Sequence, residues 1–220
     1  MKDTIVRSFV SAALVAIIAT SSLASSASAH VQRPSMGTVA AMAIEDASDA
    51  VPYVEEIRAA LIAFGAPTIN EMDPLPSMPL ADKFDDSDRY VAVPTTDSNE
   101  VAISVGAYNV DDGADERAEF QTAYAEVQSY AQARGGKVGF AATTAENSFG
   151  ANESYDGVLI SQQGDQDKNL MVVRLARFGK TIVYVSTDTD LKASPATDTD
   201  TTLMATINVI ISKLVADKAR

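Results

Sequence analysis

The chain has 220 residues, with 17 Lys/Arg against 30 Asp/Glu, a formal net charge of −13, one His, and neither Cys nor Trp. An acid excess of this size excludes a nucleic-acid interface, which needs basic surface to replace counterions, and it disfavours electrostatic adsorption to anionic lipid. Without Cys the fold must be stable on packing alone, and disulfide, thiolate and Cys-ligated zinc chemistry have no residue to run on.

Residues 1–29 have the layout of a secretory signal peptide. Lys2 and Arg7 give a basic start, Phe9 to Leu23 an apolar stretch, and Ala24-Ser25-Ser26-Ala27-Ser28-Ala29 a run of small residues. Ala27-Ser28-Ala29 fits the small-x-small rule and predicts cleavage before His30. The apolar stretch is shorter than the roughly 20 residues a membrane span needs, so no stable insertion is expected after cleavage. The mature chain would have 191 residues and a net charge of −14. Its expected address is extracytoplasmic: secreted, or in the cell envelope.

The pattern then divides at about residue 70. Residues 30–70 form an N-terminal segment with a short helix over 38–48 and a clearer one over 52–64. Pro52 suits a first turn, Tyr53 or Val54, Ile57, Leu61 and Phe64 make one apolar stripe, and Gly65 and Pro67 end it. Across 66–88, Pro67, Pro74, Pro76 and Pro79 exclude a regular helix or a central strand. Met72, Leu75, Met78, Leu80 and Phe84 are apolar enough for a loop wrapped on the body.

Residues 71–220 read as one α+β domain. A strand covers 89–94, and a second covers 100–110, where Val101, Ile103, Val105 and Ala107 alternate with Ala102, Ser104, Gly106 and Tyr108. Asp111 or Asp112 caps a long helix over 114–134, with Phe120, Tyr124, Val127 and Ala131 as its buried stripe and Gly135-Gly136 as its stop. A short strand covers 137–141, a polar loop 142–152, and three hairpin-linked strands about 154–162, 168–177 and 180–187, with Gly179 at the second turn. Asp200 caps a last helix over 201–217. The expected fold is a twisted antiparallel sheet of about six strands flanked by two long helices, with an N-terminal helical appendage.

No motif in the chain carries catalysis. His30 stands alone, so neither a two-imidazole copper site nor a Ser-His-Asp triad is available, and no Ser-x-x-Lys occurs. Gly135-Gly136-Lys137-Val138-Gly139 follows a helix, whereas a phosphate cradle needs strand, Gly-rich loop, then helix. Carboxylates remain. Asp188, Asp190, Asp198 and Asp200 flank one loop and are the candidate metal ligands, for Ca²⁺, although no stretch matches the EF-hand template. No cofactor is expected. Loops on a rigid scaffold are where binding concentrates, so Phe149 and Tyr155, in and beside the 142–152 loop, are the candidate ligand contacts.

Asp73-Pro74-Leu75-Pro76, the two-strand, helix, strand order after it, and Met171-Val172-Val173-Arg174-Leu175-Ala176-Arg177-Phe178-Gly179-Lys180-Thr181-Ile182-Val183 before a terminal helix resemble a known family. They are similar to the secreted or extracellular sensor-type domains of actinobacterial lipoproteins and Ser/Thr kinases, over about residues 73–217. The resemblance implies an antiparallel sheet with a helix on each side and a cleft for a ligand, and it transfers no site residue. The expected function is therefore a secreted, non-enzymatic, sensor-like domain that binds an envelope ligand or a protein. The alternatives are a carboxylate-dependent extracellular hydrolase and a calcium-stabilised envelope protein.

Overall fold

The computed structural model describes residues 44–62, 68–73, 78–93, 100–133, 137–142, 149–163, 167–191 and 198–220. The expected signal peptide, Gly135-Gly136 and most of the 142–152 loop lie outside these residues. A 3-10 turn at Ala47–Ala50 and helix α1 (Val54–Leu61) come first. They are followed by β1 (Thr68–Met72), β2 (Asp86–Val93), β3 (Val101–Asn109), α2 (Glu116–Ala133), β4 (Lys137–Ala142), β5 (Glu153–Gln163), β6 (Asp167–Phe178), β7 (Thr181–Leu191) and α3 (Asp198–Lys218). Among the described residues no helix is long and apolar enough to cross a membrane.

The fold is α+β. All seven strands join one antiparallel sheet in the order β1-β2-β3-β7-β6-β5-β4. The chain leaves the sheet centre after β3, crosses through α2 to the far edge at β4, and meanders back until β7 pairs with β3. The seventh strand, beyond the six expected, is β1. Among its residues only Ile69 is buried, so this edge strand lacks the apolar alternation that marks a strand in sequence. The expected domain boundary at 70/71 falls inside it.

Side chains alternate across a strand, so each face of the sheet collects its own core. One face takes Tyr90, Val101, Ile103, Val105, Ala107, Val172, Ala176, Val183 and Val185. They pack against Ile57 and Leu61 of α1 and Met204, Ile207, Ile211 and Val215 of α3. The 3-10 turn and α1 thus share this core with the sheet. The opposite face takes Tyr108, Met171, Val173, Leu175, Ile182 and Tyr184, under Phe120, Ala123 and Val127 of α2 and under Met78 and Leu80. We call these the α3 face and the α2 face.

Local chemistry sets the ends of the elements. Asp115, rather than Asp111 or Asp112, caps α2: its Oδ1 accepts the Arg117 and Ala118 amides at 3.0 and 3.1 Å. Helix α3 begins at Asp198, so Asp200 lies within its first turn and does not cap it. Gly179 turns the β6–β7 hairpin at φ 59°. Buried Asn208 of α3 ties that helix to the sheet, donating to the Val172 and Val185 carbonyls at 3.1 and 3.3 Å.

Residues 78–84 lie as a strap on the α2 face. Leu80 adopts φ 64°, and its amide donates to Glu126 Oε1 on α2 at 2.8 Å. Phe84 sits flat on Gly106, where a Cβ would stand 2.6 Å from the ring. Its ring centre lies 6.0 Å from that of Tyr184 and 6.4 Å from that of Tyr108.

Candidate functional site

The two aromatic candidates do not converge. Phe149, at φ 55°, packs against the α3-face core, and the Arg174 guanidinium carbon lies 4.9 Å from its ring centre. Tyr155 is on the α2 face, stacked on Tyr124 and Phe120 with ring centres 4.0 and 5.4 Å away. Gln121 Nε2 donates to the Tyr155 hydroxyl at 3.1 Å. The sheet separates the two rings, so each belongs to a different neighbourhood.

The candidate metal ligands lie on two successive elements. Asp188 and Asp190 are in β7, and Asp198 and Asp200 open α3. Asp188 is half-buried and paired in register with Ala102 and Met171 on the α2 face. The side chains of the other three, and the loop between the elements, lie outside the described residues. Among the described residues, no group of three or more His, Asp or Glu could hold a metal ion.

Two arginines stand out from the sheet. Arg174 in β6 faces α3. It is 6% exposed, and its register partner in β5, Asp156, is 7% exposed. Arg174 Nε donates to Asp156 Oδ1. Phe149 covers the guanidinium, a cation–π arrangement. One bond joins the pair, while Arg174 Nη1 and Asp156 Oδ2 are buried without a hydrogen-bond partner among the described residues.

Arg89 in β2 faces the other way. Register places Met72, Arg89, Ser104, Ser186, Val173 and Gly157 side by side across β1, β2, β3, β7, β6 and β5. Directly opposed residues share a face with Cβ atoms about 4.5–5.5 Å apart, so Arg89 and the two serines form one polar row on the α2 face. The next row toward the strap holds Ser87, Gly106, Tyr184 and Leu175, and the next row away from it holds Val91, Ala102, Asp188 and Met171. Ser104 is 3% and Ser186 2% exposed, on β3 and β7, the third and fourth of the seven strands. Arg89 is half-buried, and its Nε is buried with no hydrogen-bond partner among the described residues. A buried donor left unmet costs about 1–3 kcal/mol, and more when charged.

Each of the other described arginines has a carboxylate. Arg58 pairs with Glu55, Arg117 with Glu153, Arg174 with Asp156, Arg177 with Glu116 and Glu153, and Arg220 with Asp217. Arg89 has no carboxylate partner among the described residues, in a chain with 30 acids.

A third polar neighbourhood is acidic. Burial, then the charge of Asp88, raises the Asp86 carboxyl above the ordinary aspartate range, with the Ser87 amide opposing them and the charge of Asp46 adding least. The buried Tyr90 hydroxyl donates to the Pro52 carbonyl at 2.6 Å, with Asp88 Oδ2 at 3.1 Å. Burial, then Asp88, raises its pKa well above the ordinary tyrosine value.

The Arg89 row is a candidate site that linear reading misses. Its signals in sequence are faint: an arginine followed by Tyr90-Val91, and serines between Ile103 and Val105 and after Val185, where strands favour β-branched side chains.

No family model and no curated protein matches the chain. Two solved structures are similar to it. One is a point mutant of the protein Mog1, 14% identical over 68% of this chain and 84% of that one, with a TM-score of 0.32. The other is the Saccharomyces cerevisiae Ran-binding protein Mog1p, 14% identical over 69% and 85%, with a TM-score of 0.33.

Proposed function

We propose that this chain is an exported, non-enzymatic binding domain, and that its ligand sits on the α2 face of the sheet around Arg89, Ser104 and Ser186. The observation that carries the reading is a polar row at the centre of a sheet, where an apolar core belongs. Buried hydroxyls on inner strands, with a guanidinium on the strand beside them, contribute little to packing. Their chemistry is that of recognition: donors fixed on a rigid scaffold. Export rests on residues 1–29, and the sensor-type resemblance points to the same kind of protein.

The test is thermal melting of the secreted protein against divalent cations, sugars, cell-wall fragments, lipids and small metabolites. A ligand at about 100 times its Kd stabilises by about 2.7 kcal/mol, so one class is expected to raise the melting temperature by several degrees. A flat response to the whole panel would dispose of a small ligand and direct the search to envelope proteins by pull-down. A rise with Ca²⁺ alone would favour the calcium-stabilised alternative and the Asp188–Asp200 segment. N-terminal sequencing of the secreted protein tests export independently, with His30 expected as the first residue.

A further inference from the structure

We propose that Arg89 is an oxyanion anchor: the ligand of the α2 face carries a carboxylate or phosphate group that pairs with the Arg89 guanidinium and accepts from the Ser104 and Ser186 hydroxyls. The inference rests on the reading that the domain binds a ligand on this face, and it adds the ligand's chemistry.

Three observations converge on it. First, of the six described arginines, five hold a carboxylate and Arg89 holds none. In a chain whose acids outnumber its bases 30 to 17, a strand arginine paired with no described acid is a vacant charge-assisted donor. Second, its Nε is buried and unmet. A guanidinium offers donors in a fixed planar fork that matches two oxygens of one oxyanion, and Nε is one tine of that fork. Third, the residues next to it in register are Ser104 and then Ser186, both buried. A hydroxyl can donate to the same oxyanion, so charge and donors lie in one row. A neutral ligand would leave the guanidinium charge uncompensated. The net charge of −13 gives no long-range attraction for anions, so recognition depends on these short-range bonds.

The experiment uses the full secreted protein in buffers of matched ionic strength, with sodium acetate, inorganic phosphate and sodium chloride as probes. The readouts are the melting temperature and the Nε–Hε NMR cross-peak of Arg89, assigned by its absence in Arg89→Lys. At least one of acetate and phosphate is expected to move that cross-peak and raise the melting temperature, while chloride does neither. Binding in Arg89→Gln should be at least about tenfold weaker, and Arg89→Lys should keep part of it as a point charge. A response to acetate alone assigns a carboxylate, and a response to phosphate alone assigns a phosphate. An Arg89 cross-peak that neither probe moves, or a response that survives in Arg89→Gln, overturns the proposal. A neutral ligand from the wider panel whose binding survives Arg89→Gln would overturn the oxyanion anchor and leave the binding-domain reading standing.

Discussion

Arg174 and Arg89 occupy strands of the same sheet, face opposite ways, and are treated differently by the fold. Arg174 has a carboxylate directly across the strand pair and an aromatic ring over its guanidinium. Arg89 has Met72 on one side and Ser104 on the other. A buried ion pair stabilises little in net terms, because desolvation offsets the attraction, but losing one partner strands the other. Arg174 therefore reads as part of the scaffold, and Arg89 as a group whose partner comes from outside the described chain. Burial alone does not separate the two roles; what faces the guanidinium does.

The largest effect should come from breaking the paired side. Asp156→Ala leaves the Arg174 charge buried and uncompensated, and should cost about 3–5 kcal/mol, read as a lower urea midpoint. Replacing both residues by apolar ones, Asp156→Leu with Arg174→Met, should recover most of that loss. A single-variant loss below about 1 kcal/mol, the range of exposed pairs, would mean that water reaches the pair and that the contrast with Arg89 is not one of environment.

The strap that borders the Arg89 row gives the next effect. Gly106→Ala drives a methyl into the Phe84 ring, which is held against Tyr108 and Tyr184. Overpacking of this kind costs about 1–3 kcal/mol. Adding Phe84→Leu should relieve part of it, since a smaller, more flexible side chain can move aside. If Gly106→Ala is neutral, the strap shifts readily and does not form a fixed wall for the row.

Arg89→Met sharpens the comparison from the other side. Removing an unmet charged donor should leave the unliganded protein as stable as before or more stable, by up to about 1 kcal/mol, as measured by its melting temperature without ligand. A loss as large as that of Asp156→Ala would show that Arg89 is structural after all.

The sequence shows why one arginine is easier to find than the other. Strand content, the two long helices and the Gly179 turn follow from period-two and period-three-to-four patterns, which are local. Strand β1 escapes such patterns because Thr68–Met72 has one buried residue and prolines on either side. Phe149 and Tyr155 look like neighbours because they are six residues apart in one loop region. Strand parity turns Tyr155 to the α2 face, however, while the turn before β5 carries Phe149 to the other. Ser104 and Ser186 are 82 residues apart and meet only through the β3–β7 register. No local pattern encodes that register, so the row becomes visible only when the sheet order is known.

The smallest effect tests the α3 face at its rim, where two acids respond to pH in opposite senses. Glu56 accepts the Tyr53 amide at 2.8 Å and Lys218 Nζ at 3.0 and 3.1 Å, joining the start of α1 to the end of α3. The Tyr53 amide first, and the Lys218 hydrogen bond and charge after partial burial has opposed them, hold its carboxyl below the ordinary glutamate range. A lowered folded pKa means stability that is present above the unfolded value and lost as pH falls through the folded one. Glu56→Gln should therefore cost about 0.5–1 kcal/mol at neutral pH, discounted for its partial exposure, and the difference should vanish in acid. Asp86 is raised, chiefly by burial and then by Asp88, so its sign reverses: its charge weakens the fold as pH rises from the unfolded value to the raised one. Asp86→Asn should stabilise the protein at neutral pH and lose that advantage below the unfolded aspartate range. Melting curves of both variants between pH 3 and pH 7 should converge on wild type from opposite sides as pH falls. Parallel curves would mean that neither carboxyl is coupled to the packing of α1 against the sheet and α3, and the rim of this face would then be no more ordered than ordinary surface.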